Sequence, residues 1–498
     1  MHPSIHARVT PEKPAYRMAQ SGEVVTYAEL EARSNQGAHL LRSLGLKRGD
    51  GIALMLENDA RFFEIVWAAQ RAGLYFTCIS TRLAPPEIAF IVADSGSRVL
   101  VASMPVAEEL AVSGLMIFAP GARDFVAERS AFPETIIADE SPGTDMLYSS
   151  GTTGRPKGIR PELPEGPLDQ TSPLTEFGRS FFGIDADTVF LSPAPLYHSA
   201  PLRWCMVVQK LGGTVIVMEK FDEETTLSLI ERHRVTHAQF VPTHFIRMLK
   251  RPAEVRDRYD LSSLRVVYHA AAPCPVEVKH AMMAWFGPII YEFYGGTESN
   301  GLTAIGPDEW IERPGSVGRA MWGTIRICDD DGEPLPAGST GAIHFADGLP
   351  FEYHNDPEKT AASRNRYGWT TIGDVGHVDE DGYLYLTDRQ SFMIISGGVN
   401  IYPQEIEDAI ITHPRVADVA VIGAPDPEMG EQVVAVVQPV DWADAGPGLA
   451  DELAAWLHGR IGRIKQPRRI DFVRELPRHP TGKLLKRLVR DSYWAGVR

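Results

Sequence analysis

The chain has 498 residues, of which 44% are hydrophobic and 23% charged, and its formal net charge is -16. This length exceeds what one hydrophobic core normally serves, so we expect at least two domains. The acidic balance disfavours nucleic acid as a partner, because a phosphate backbone requires a basic surface. The net charge does not exclude binding of small anionic substrates, because local lysines and helix N-termini determine whether they bind.

The N-terminus lacks the basic and apolar regions of a signal peptide, and no apolar stretch approaches the roughly 20 residues that span a bilayer. We therefore expect a cytoplasmic protein with no integral membrane segment. The cysteines, Cys78, Cys205, Cys274 and Cys328, lie too far apart for a zinc knuckle or a CxxC motif, so we expect them to be reduced and structural. The sequence leaves the oligomeric state open, with a homodimer as one option.

Helical and extended patterns alternate through the first half of the chain. Residues 27–42 are amphipathic at helical spacing, and short apolar runs follow at 51–56, 98–102, 188–192, 213–218, 237–241 and 264–268. Several of these runs follow helical segments at the spacing of crossover units. The alternation predicts an α/β architecture.

From about Gly315 the sequence consists of short apolar runs separated by Gly, Pro and Asp, and this pattern predicts an antiparallel β subdomain. After Arg389 a new α/β pattern begins, with a helix around 402–410 and strands at 418–423 and 432–437. We therefore predict a large domain over residues 1–389 and a small C-terminal domain over 390–498.

The segment from Tyr148 to Gly158 reads YSSGTTGRPKG. Its glycines let backbone N–H groups approach an anion, and its hydroxyls and lysine supply further donors. It is not a Walker A sequence, because Lys157 precedes Gly158. The composition favours a phosphate-binding loop over the alternative of a flexible polar surface loop.

This loop resembles the phosphate-binding signature of the adenylate-forming superfamily, which includes acyl-CoA synthetases, firefly-type luciferases and peptide-synthetase adenylation domains. Four further segments resemble its other signatures in the same order: 291–298, 371–374 with Arg389, 396–407 and 480–483. The pattern is most like that of bacterial fatty-acyl and aryl-CoA ligases. The resemblance implies a large N-terminal domain of two α/β sheets plus a β subdomain, followed by a small mobile α+β domain.

The resemblance also assigns an ATP site. The catalytic residues it implies are Lys483 as the adenylation lysine, Lys157, Thr297, Glu298 as the magnesium ligand, and His198 as an aromatic gate. The ATP- and AMP-binding residues it implies are Ser149, Ser150, Gly151, Thr152, Thr153, Gly154, Ala271, Ala272, Pro273, Tyr294, Gly295, Thr297, Asp374 and Arg389. Asp374 alone could be a turn residue, but its spacing of fifteen residues from Arg389 favours ribose binding.

Three further regions follow from the same resemblance. The acyl pocket is lined by Tyr197, His198, Trp204, Phe240, Ala270 and Gly295; the coenzyme A tunnel by Ser396, Gly397 and Gly398; and the hinge of the mobile domain is Ser391. A satisfied core histidine is the alternative for His198, and ordinary packing of alanines is the alternative for residues 268–273.

The chain departs from the family pattern at several positions. Ser391 and Phe392 stand where many relatives have a charged hinge residue followed by an acid, and Val399 replaces the more usual Glu of the glycine loop. Ala270 stands where a glycine is usual. Serine can absorb a backbone change without a charge, so we still expect domain rotation.

The implied reaction has two steps. A carboxylate and Mg·ATP give acyl-AMP and pyrophosphate, and the thiol of coenzyme A then releases AMP, so that activation creates a good leaving group. ATP and coenzyme A are thus co-substrates and Mg²⁺ is the cofactor. One alternative is an acyl-AMP ligase that loads a carrier protein, and another is a catalytically silent nucleotide-binding protein.

We expect the acid to be an apolar monocarboxylate of medium length or with rings. Small Ala and Gly residues beside Phe240 offer room but few polar partners for a second carboxylate. Arg203 is expected to face solvent, with pairing to an acidic substrate tail as the alternative.

Overall fold

The computed structural model describes residues 1–106, 110, 114–149, 156–389, 392–478 and 484–495. Its α-helices are α1 Pro3–Val9, α2 Tyr27–Ser43, α3 Arg61–Arg71, α4 Pro85–Asp94, α5 Phe125–Arg129, α6 Pro173–Phe181, α7 Ser199–Leu211, α8 Glu223–His233, α9 Pro242–Leu249, α10 Ala253–Arg256, α11 Val276–Phe286, α12 Pro307–Glu312, α13 Pro357–Ala362, α14 Pro403–Ile411, α15 Pro447–Leu457 and α16 Lys486–Trp494.

The strands in the first half of the chain are β1 Pro14–Met18, β2 Val24–Thr26, β3 Gly51–Met55, β4 Tyr75–Cys78, β5 Ser97–Ala102, β6 Met116–Phe118, β7 Thr144–Asp145, β8 Leu147–Ser149, β9 Lys157–Ile159, β10 Val189–Ser192, β11 Thr214–Val217 and β12 His237–Phe240. Those that follow are β13 Val266–His269, β14 Ile290–Gly295, β15 Leu302–Ile305, β16 Ser316–Trp322, β17 Thr324–Cys328, β18 Gly341–Ala346, β19 Asp374–Val378, β20 Leu384–Arg389, β21 Ile394–Ser396, β22 Val399–Ile401, β23 Val416–Asp426, β24 Gly430–Pro439 and β25 Arg469–Phe472.

These elements pack into two compact units. The first comprises Met1–Phe240, Arg251–Tyr268 and Phe351–Thr360, and the second comprises Val241–Lys250, His269–Pro350 and Ala361–Arg498. Across the described ranges, every helix is too short or too polar to cross a bilayer. The predicted division into a large domain over residues 1–389 and a small C-terminal domain over 390–498 stays a prediction.

The first unit contains two sheets and a hairpin. One sheet has the strand order β6-β5-β3-β4-β7 and is parallel throughout. The other has the order β13-β12-β10-β11-β1-β2, with β10 parallel to both β11 and β12. Strands β8 and β9 form the hairpin. The predicted α/β architecture is confirmed, and each apolar run named from the sequence is a strand.

Helix α2 illustrates why these residues are helical. Thr26 accepts a hydrogen bond from the Glu29 backbone N–H while the Glu29 carboxylate accepts from the Thr26 N–H, which satisfies two amides that have no partner within the helix. The helix buries the face that carries Leu30, Leu40 and Leu41. It covers the predicted segment 27–42 with one further residue.

The second unit carries an antiparallel sheet in the order β17-β18-β19-β20-β16-β15-β14. The antiparallel subdomain predicted from about Gly315 is therefore confirmed. A separate sheet, β22-β21-β24-β23 with β25 alongside β24, occupies the C-terminal part of the chain. Helices α14 and α15 cover one face of it through Ile406, Ile410 and Leu453, while α16 packs on the other through Val489.

A buried carboxylate joins three helices of the first unit. Glu64 on α3 is 3% exposed and accepts hydrogen bonds from Arg33 on α2 and from Arg129 on α5, each at 2.7 Å. Arg129 is itself only 5% exposed. Removing one partner of such a group leaves an uncompensated buried charge, which is costly.

We expect Glu64→Gln to destabilise the first unit by about 3 kcal/mol or more, because the Arg129 guanidinium would remain buried without its counter-charge. The matched control is Glu165→Gln, which removes an exposed ion pair with Arg48 and should cost less than about 1 kcal/mol. Midpoints of urea unfolding followed by tryptophan fluorescence would compare the two. Equal midpoints would contradict the role assigned to Glu64.

Candidate functional site

The predicted phosphate loop begins and ends on a hairpin of the first unit. Across the β8–β9 ladder, Ser149 lies opposite Lys157. The ammonium of Lys157 lies 5.0 Å from the centre of the Tyr353 ring, and the Tyr148 hydroxyl donates a 2.6 Å hydrogen bond to Asp94. The hairpin therefore holds the first and last predicted phosphate-binding residues side by side.

Several predicted residues lie outside the described residues. They are Ser150, Gly151, Thr152, Thr153 and Gly154 of the phosphate loop, the hinge residue Ser391 and the adenylation lysine Lys483. Their assignments stay predictions.

The predicted gate lies at the start of α7. His198 is the N-cap residue of that helix, and its ring meets the Tyr197 ring nearly perpendicularly at a centroid distance of 4.4 Å. Burial raises the pKa of the Tyr197 hydroxyl. The side-chain oxygen of Asn58 accepts a 2.7 Å hydrogen bond from the Leu196 backbone N–H, which fixes the position of this segment. No motif in the sequence marked Asn58, which lies far upstream in the chain.

The aromatic residues predicted to line the acyl pocket are buried in the first unit. The Trp204 ring packs 5.2 Å from that of Phe182 and 5.1 Å from that of Tyr268, and Phe240 is fully buried at the end of β12. These contacts form an apolar, aromatic environment beside the helix that His198 begins.

The expectation that Arg203 faces solvent is wrong. Its side chain is 24% exposed, and its Nε donates a 2.6 Å hydrogen bond to the Asp145 carboxylate, whose side chain is 10% exposed. No sequence signal pointed to Asp145, because the partners lie 58 positions apart in the chain.

In the second unit, the predicted ribose-binding residues meet the second signature. The Tyr294 hydroxyl donates a 2.8 Å hydrogen bond to the Asp374 carboxylate, and Asp374 is 9% exposed. The register of β19 and β20 places the backbone of Asp374 opposite that of Arg389. The fifteen-residue spacing thus corresponds to two strands that bring these residues together.

Gly295, Thr297 and Glu298 follow at the end of β14. Glu298 is 9% exposed, and its Oε2 lies 2.7 Å from where a Cβ on Gly296 would stand, so the carboxylate packs directly against that backbone. Among the residues that the structure describes, no group of three or more His, Cys, Asp or Glu side chains could hold a metal ion. A single carboxylate fits Mg²⁺, which keeps several waters and takes its other oxygens from substrate phosphates.

The segment after β13 carries a strained alanine. Ala271 has φ of 76°, in the left-handed region, and both Ala271 and Ala272 are exposed, whereas Ala270 is buried. A side chain there costs about 1–2 kcal/mol relative to an ordinary backbone conformation. Ala270 was the position singled out from the sequence, but the strain lies one residue later.

A buried charged cluster adjoins this segment and was also missed. His269, the last residue of β13, has its Nε2 3.3 Å from the Glu292 Oε2, and the Lys279 ammonium lies 2.7 Å from the same oxygen. Burial opposes ionisation of Glu292, yet the adjacent His269 and Lys279 lower its pKa to about 2. No sequence pattern links a strand end, a helix and the next strand in this way.

The predicted coenzyme A loop is a tight hairpin. Ser396 pairs with Val399 across the β21–β22 ladder, and Gly397 and Gly398 between them have φ of 56° and 81°. Two consecutive positive φ values are typical of a type I′ turn, which explains the glycine pair on structural grounds alone. Val399, in place of the usual Glu, is 39% exposed.

Phe392, in place of the usual acid, faces a cation. The Lys486 ammonium lies 5.0 Å from the centre of the Phe392 ring, and it pairs with the buried Glu407 carboxylate at 2.9 Å. The ring thus offers its negative face where a carboxylate is usual.

Comparison with known proteins gives the family. The profile of the AMP-binding enzyme family matches residues 4–348, and that of the AMP-binding enzyme C-terminal domain matches residues 405–483. The long-chain-fatty-acid–CoA ligase FadD13 of Mycobacterium tuberculosis is 34% identical over 99% of this chain and 97% of its own length. The fatty acid–[acyl-carrier-protein] ligase ScoC of Streptomyces coeruleorubidus is 30% identical over 99% of this chain and 95% of its own.

A solved structure extends the likeness to three dimensions. The anthranilate CoA ligase AuaEII, in complex with anthranoyl-AMP, superposes with a TM-score of 0.86 at 26% identity, covering 100% of this chain and 97% of that one. The profile matches, the identity over nearly the whole length and the shared fold agree: the chain belongs to the AMP-binding, adenylate-forming enzyme family, as an AMP-forming acid–thiol ligase of the acyl-CoA synthetase type.

Proposed function

We propose that this enzyme is an acyl-CoA synthetase that converts an apolar monocarboxylic acid and ATP into acyl-AMP and pyrophosphate, then transfers the acyl group to coenzyme A and releases AMP. The observation that carries the proposal is the hydrogen bond from Tyr294 to Asp374, with Arg389 opposite Asp374 across the ladder. It brings together, within the second unit, two segments that we assign to nucleotide binding.

Charge neutralisation is the main chemical requirement of the first step. A carboxylate must approach a polyanionic triphosphate, so positive groups have to stabilise the charge on the α-phosphoryl group and the departing pyrophosphate. We assign this role to Lys157, Lys483, Thr152 and Thr153 and to Mg²⁺ held by Glu298. When bound, Mg²⁺ supplies Lewis-acid stabilisation of the phosphate oxygens.

The acid is proposed to be of medium length or to carry rings. The buried aromatic surroundings of Trp204 and Phe240 support an apolar ligand. The pairing of Arg203 with Asp145 supports a monocarboxylate, since this arginine already has a counter-charge and so offers less attraction to a second substrate carboxylate.

Coenzyme A is proposed as the acceptor, with the turn at Gly397–Gly398 beside its thiol arm. The second candidate is loading of a carrier protein, which the similarity to ScoC favours. In either case we propose that residues 390–498 rotate about Ser391 between the two steps, so that Lys483 serves the first step only.

The deciding experiment is a broad panel of acids in which AMP release is measured with and without coenzyme A. Release that requires both an acid and coenzyme A supports the proposal. Release that requires a phosphopantetheinylated carrier protein supports the second candidate. Measurable ATP binding without pyrophosphate exchange for any acid would instead favour a silent nucleotide-binding protein.

Lys483→Ala should lower the rate of adenylation by about a hundredfold or more, because a charge contact made at the transition state is lost. Formation of the thioester from supplied acyl-AMP should largely survive, since the lysine would have left the site by then. The two half-reactions are measured separately, by pyrophosphate exchange and by thioester formation. Equal loss in both would reject the rotation.

The acid preference follows from the apolar acyl pocket that we propose around Trp204 and Phe240. Each buried methylene is worth about 0.8 kcal/mol, so kcat/KM should rise severalfold per added carbon until the pocket is full. A competition assay across straight-chain acids, with acetate and malonate included, measures this trend. Preference for acetate or malonate would show that the pocket assignment is incorrect.

The strained backbone at Ala271 gives a stability test of the site. Ala271→Gly should stabilise the protein by up to about 1 kcal/mol, because relief of the left-handed strain outweighs the greater freedom of the unfolded chain. The matched control is Ala272→Gly, whose φ is not positive and which should destabilise by about 0.4–1 kcal/mol. Thermal midpoints of the ligand-free proteins compare them, and a lower midpoint for Ala271→Gly would contradict the strain.

A further inference from the structure

Two ion pairs stand on either side of the segment that carries Lys483, which lies outside the described residues. On the N-terminal side of this segment Arg478 pairs with Asp418, and on the C-terminal side Lys486 pairs with Glu407. All four partners belong to the second unit. Neither pair has a role in the reaction as proposed above, yet together they determine where the chain enters and leaves the segment.

The pair before the segment fixes orientation as well as distance. The Nε of Arg478 donates a 2.6 Å hydrogen bond to one oxygen of the Asp418 carboxylate, and its Nη2 donates to the other oxygen. Two parallel hydrogen bonds between an arginine and a carboxylate are stronger and geometrically more specific than a single contact. Asp418 lies in β23, and its side chain is 15% exposed. The pair therefore attaches the chain to the C-terminal sheet five residues before Lys483.

The pair after the segment is buried. Lys486 is 6% exposed and Glu407 is 8% exposed, and the Lys486 ammonium lies 2.9 and 3.0 Å from the two carboxylate oxygens. Glu407 also accepts a 2.7 Å hydrogen bond from the Val421 backbone N–H. Removing one partner of such a pair leaves an uncompensated buried charge. The first residue of α16 is thus fixed against α14 and β23, three residues after Lys483.

The backbone on the two sides of the segment is paired as well. Leu485 donates its N–H to the carbonyl oxygen of Pro477 at 2.8 Å, and Arg478 forms an antiparallel bridge with Leu484. The two ends of the segment therefore lie side by side, and Lys483 is bonded directly to Leu484. A lysine ammonium sits on a flexible four-carbon stem, so its position depends on how firmly the backbone beside it is held.

We propose that Asp418 and Glu407 are positioning residues for the adenylation step, which hold the two ends of the segment so that the Lys483 ammonium reaches the α-phosphoryl group. This inference rests on the proposed function, because it needs Lys483 to serve that step. In this role neither carboxylate touches the substrate. Their effect is geometric, since a displacement of about 1 Å from the productive position can cost on the order of a hundredfold in rate.

Asp418→Asn is the principal test, because it keeps the size of the side chain and removes the charge that holds Arg478. Adenylation, measured by pyrophosphate exchange, should fall by about tenfold. Formation of the thioester from supplied acyl-AMP should stay unchanged, since Lys483 does not serve that step. A purely structural role for Asp418 would slow both half-reactions together.

The matched control is Asp444→Asn. Asp444 forms the same kind of pair with Arg415, whose Nε and Nη2 lie 3.1 and 2.7 Å from its two carboxylate oxygens. This pair also belongs to the C-terminal part of the second unit but does not flank the segment that carries Lys483. Both half-reactions should therefore keep their rates in Asp444→Asn.

A double variant shows whether Asp418 acts through the lysine. In the Lys483→Ala background, Asp418→Asn should lower adenylation by less than about twofold, because the group that it positions is already absent. Residues that contribute independently would instead give a further tenfold loss, as the product of their separate effects.

Arg478→Lys covers the case in which Asp418→Asn does not fold. It keeps the positive charge but cannot make both parallel hydrogen bonds, so it should also slow adenylation alone. Thermal midpoints establish which variants are folded. Adenylation at the full rate, equal loss in both half-reactions, or a multiplied loss in the Lys483→Ala background would overturn the inference. Adenylation that Lys483→Ala leaves unchanged would instead reject the role of this lysine in the proposed function.

Discussion

The hydrogen bond from Tyr294 to Asp374 is the interaction on which the arrangement of the second unit depends. It ties the end of β14 to the start of β19, two points separated by 80 residues of chain. Because β19 pairs with β20, the same contact fixes where the backbone of Arg389 lies relative to the second signature. Buried polar groups are held by their partners, so neither the tyrosine hydroxyl nor the carboxylate is free to turn elsewhere at low cost.

Buried carboxylates recur in this protein, and they differ in what they join. Glu64 receives two arginines and holds three helices of the first unit together. Glu407 receives Lys486 and a backbone N–H of β23, which joins α14 to α16. Glu292 instead faces a histidine beside the proposed site. The first two join helices of their own unit, whereas the third lies beside the segment Ala270–Pro273 that we assign to substrate binding.

The departures from the family pattern have physical counterparts. Phe392 faces the Lys486 ammonium, so an aromatic ring lies beside this cation at a position where many relatives carry an acid. Such a contact is weaker than an ion pair but carries no desolvation penalty for a second charge. Ala271, the residue after the departure at Ala270, has a backbone conformation that a glycine would adopt without strain, and strain of this kind clusters where a ligand requires a particular backbone shape.

The sequence by itself determined the elements and the order of the signatures. Strand and helix periods depend on neighbouring residues, so the alternation before Gly315, the antiparallel texture after it and the helix at 27–42 were all predictable. The spacing of Asp374 and Arg389 is local in the same sense, since both belong to adjacent strands of one ladder.

Only the tertiary structure decided which side chains meet. Arg203 pairs with Asp145, Tyr294 with Asp374, and His269 with Glu292. Each pair joins two elements of the fold, and no local sequence pattern predicts how those elements are oriented relative to each other. The left-handed backbone at Ala271 was not predictable from the sequence either, because a positive φ is expected at a glycine but not at an alanine. Contacts of this kind depend on which face of each element is buried against the next, and that is settled by packing over long separations in the chain.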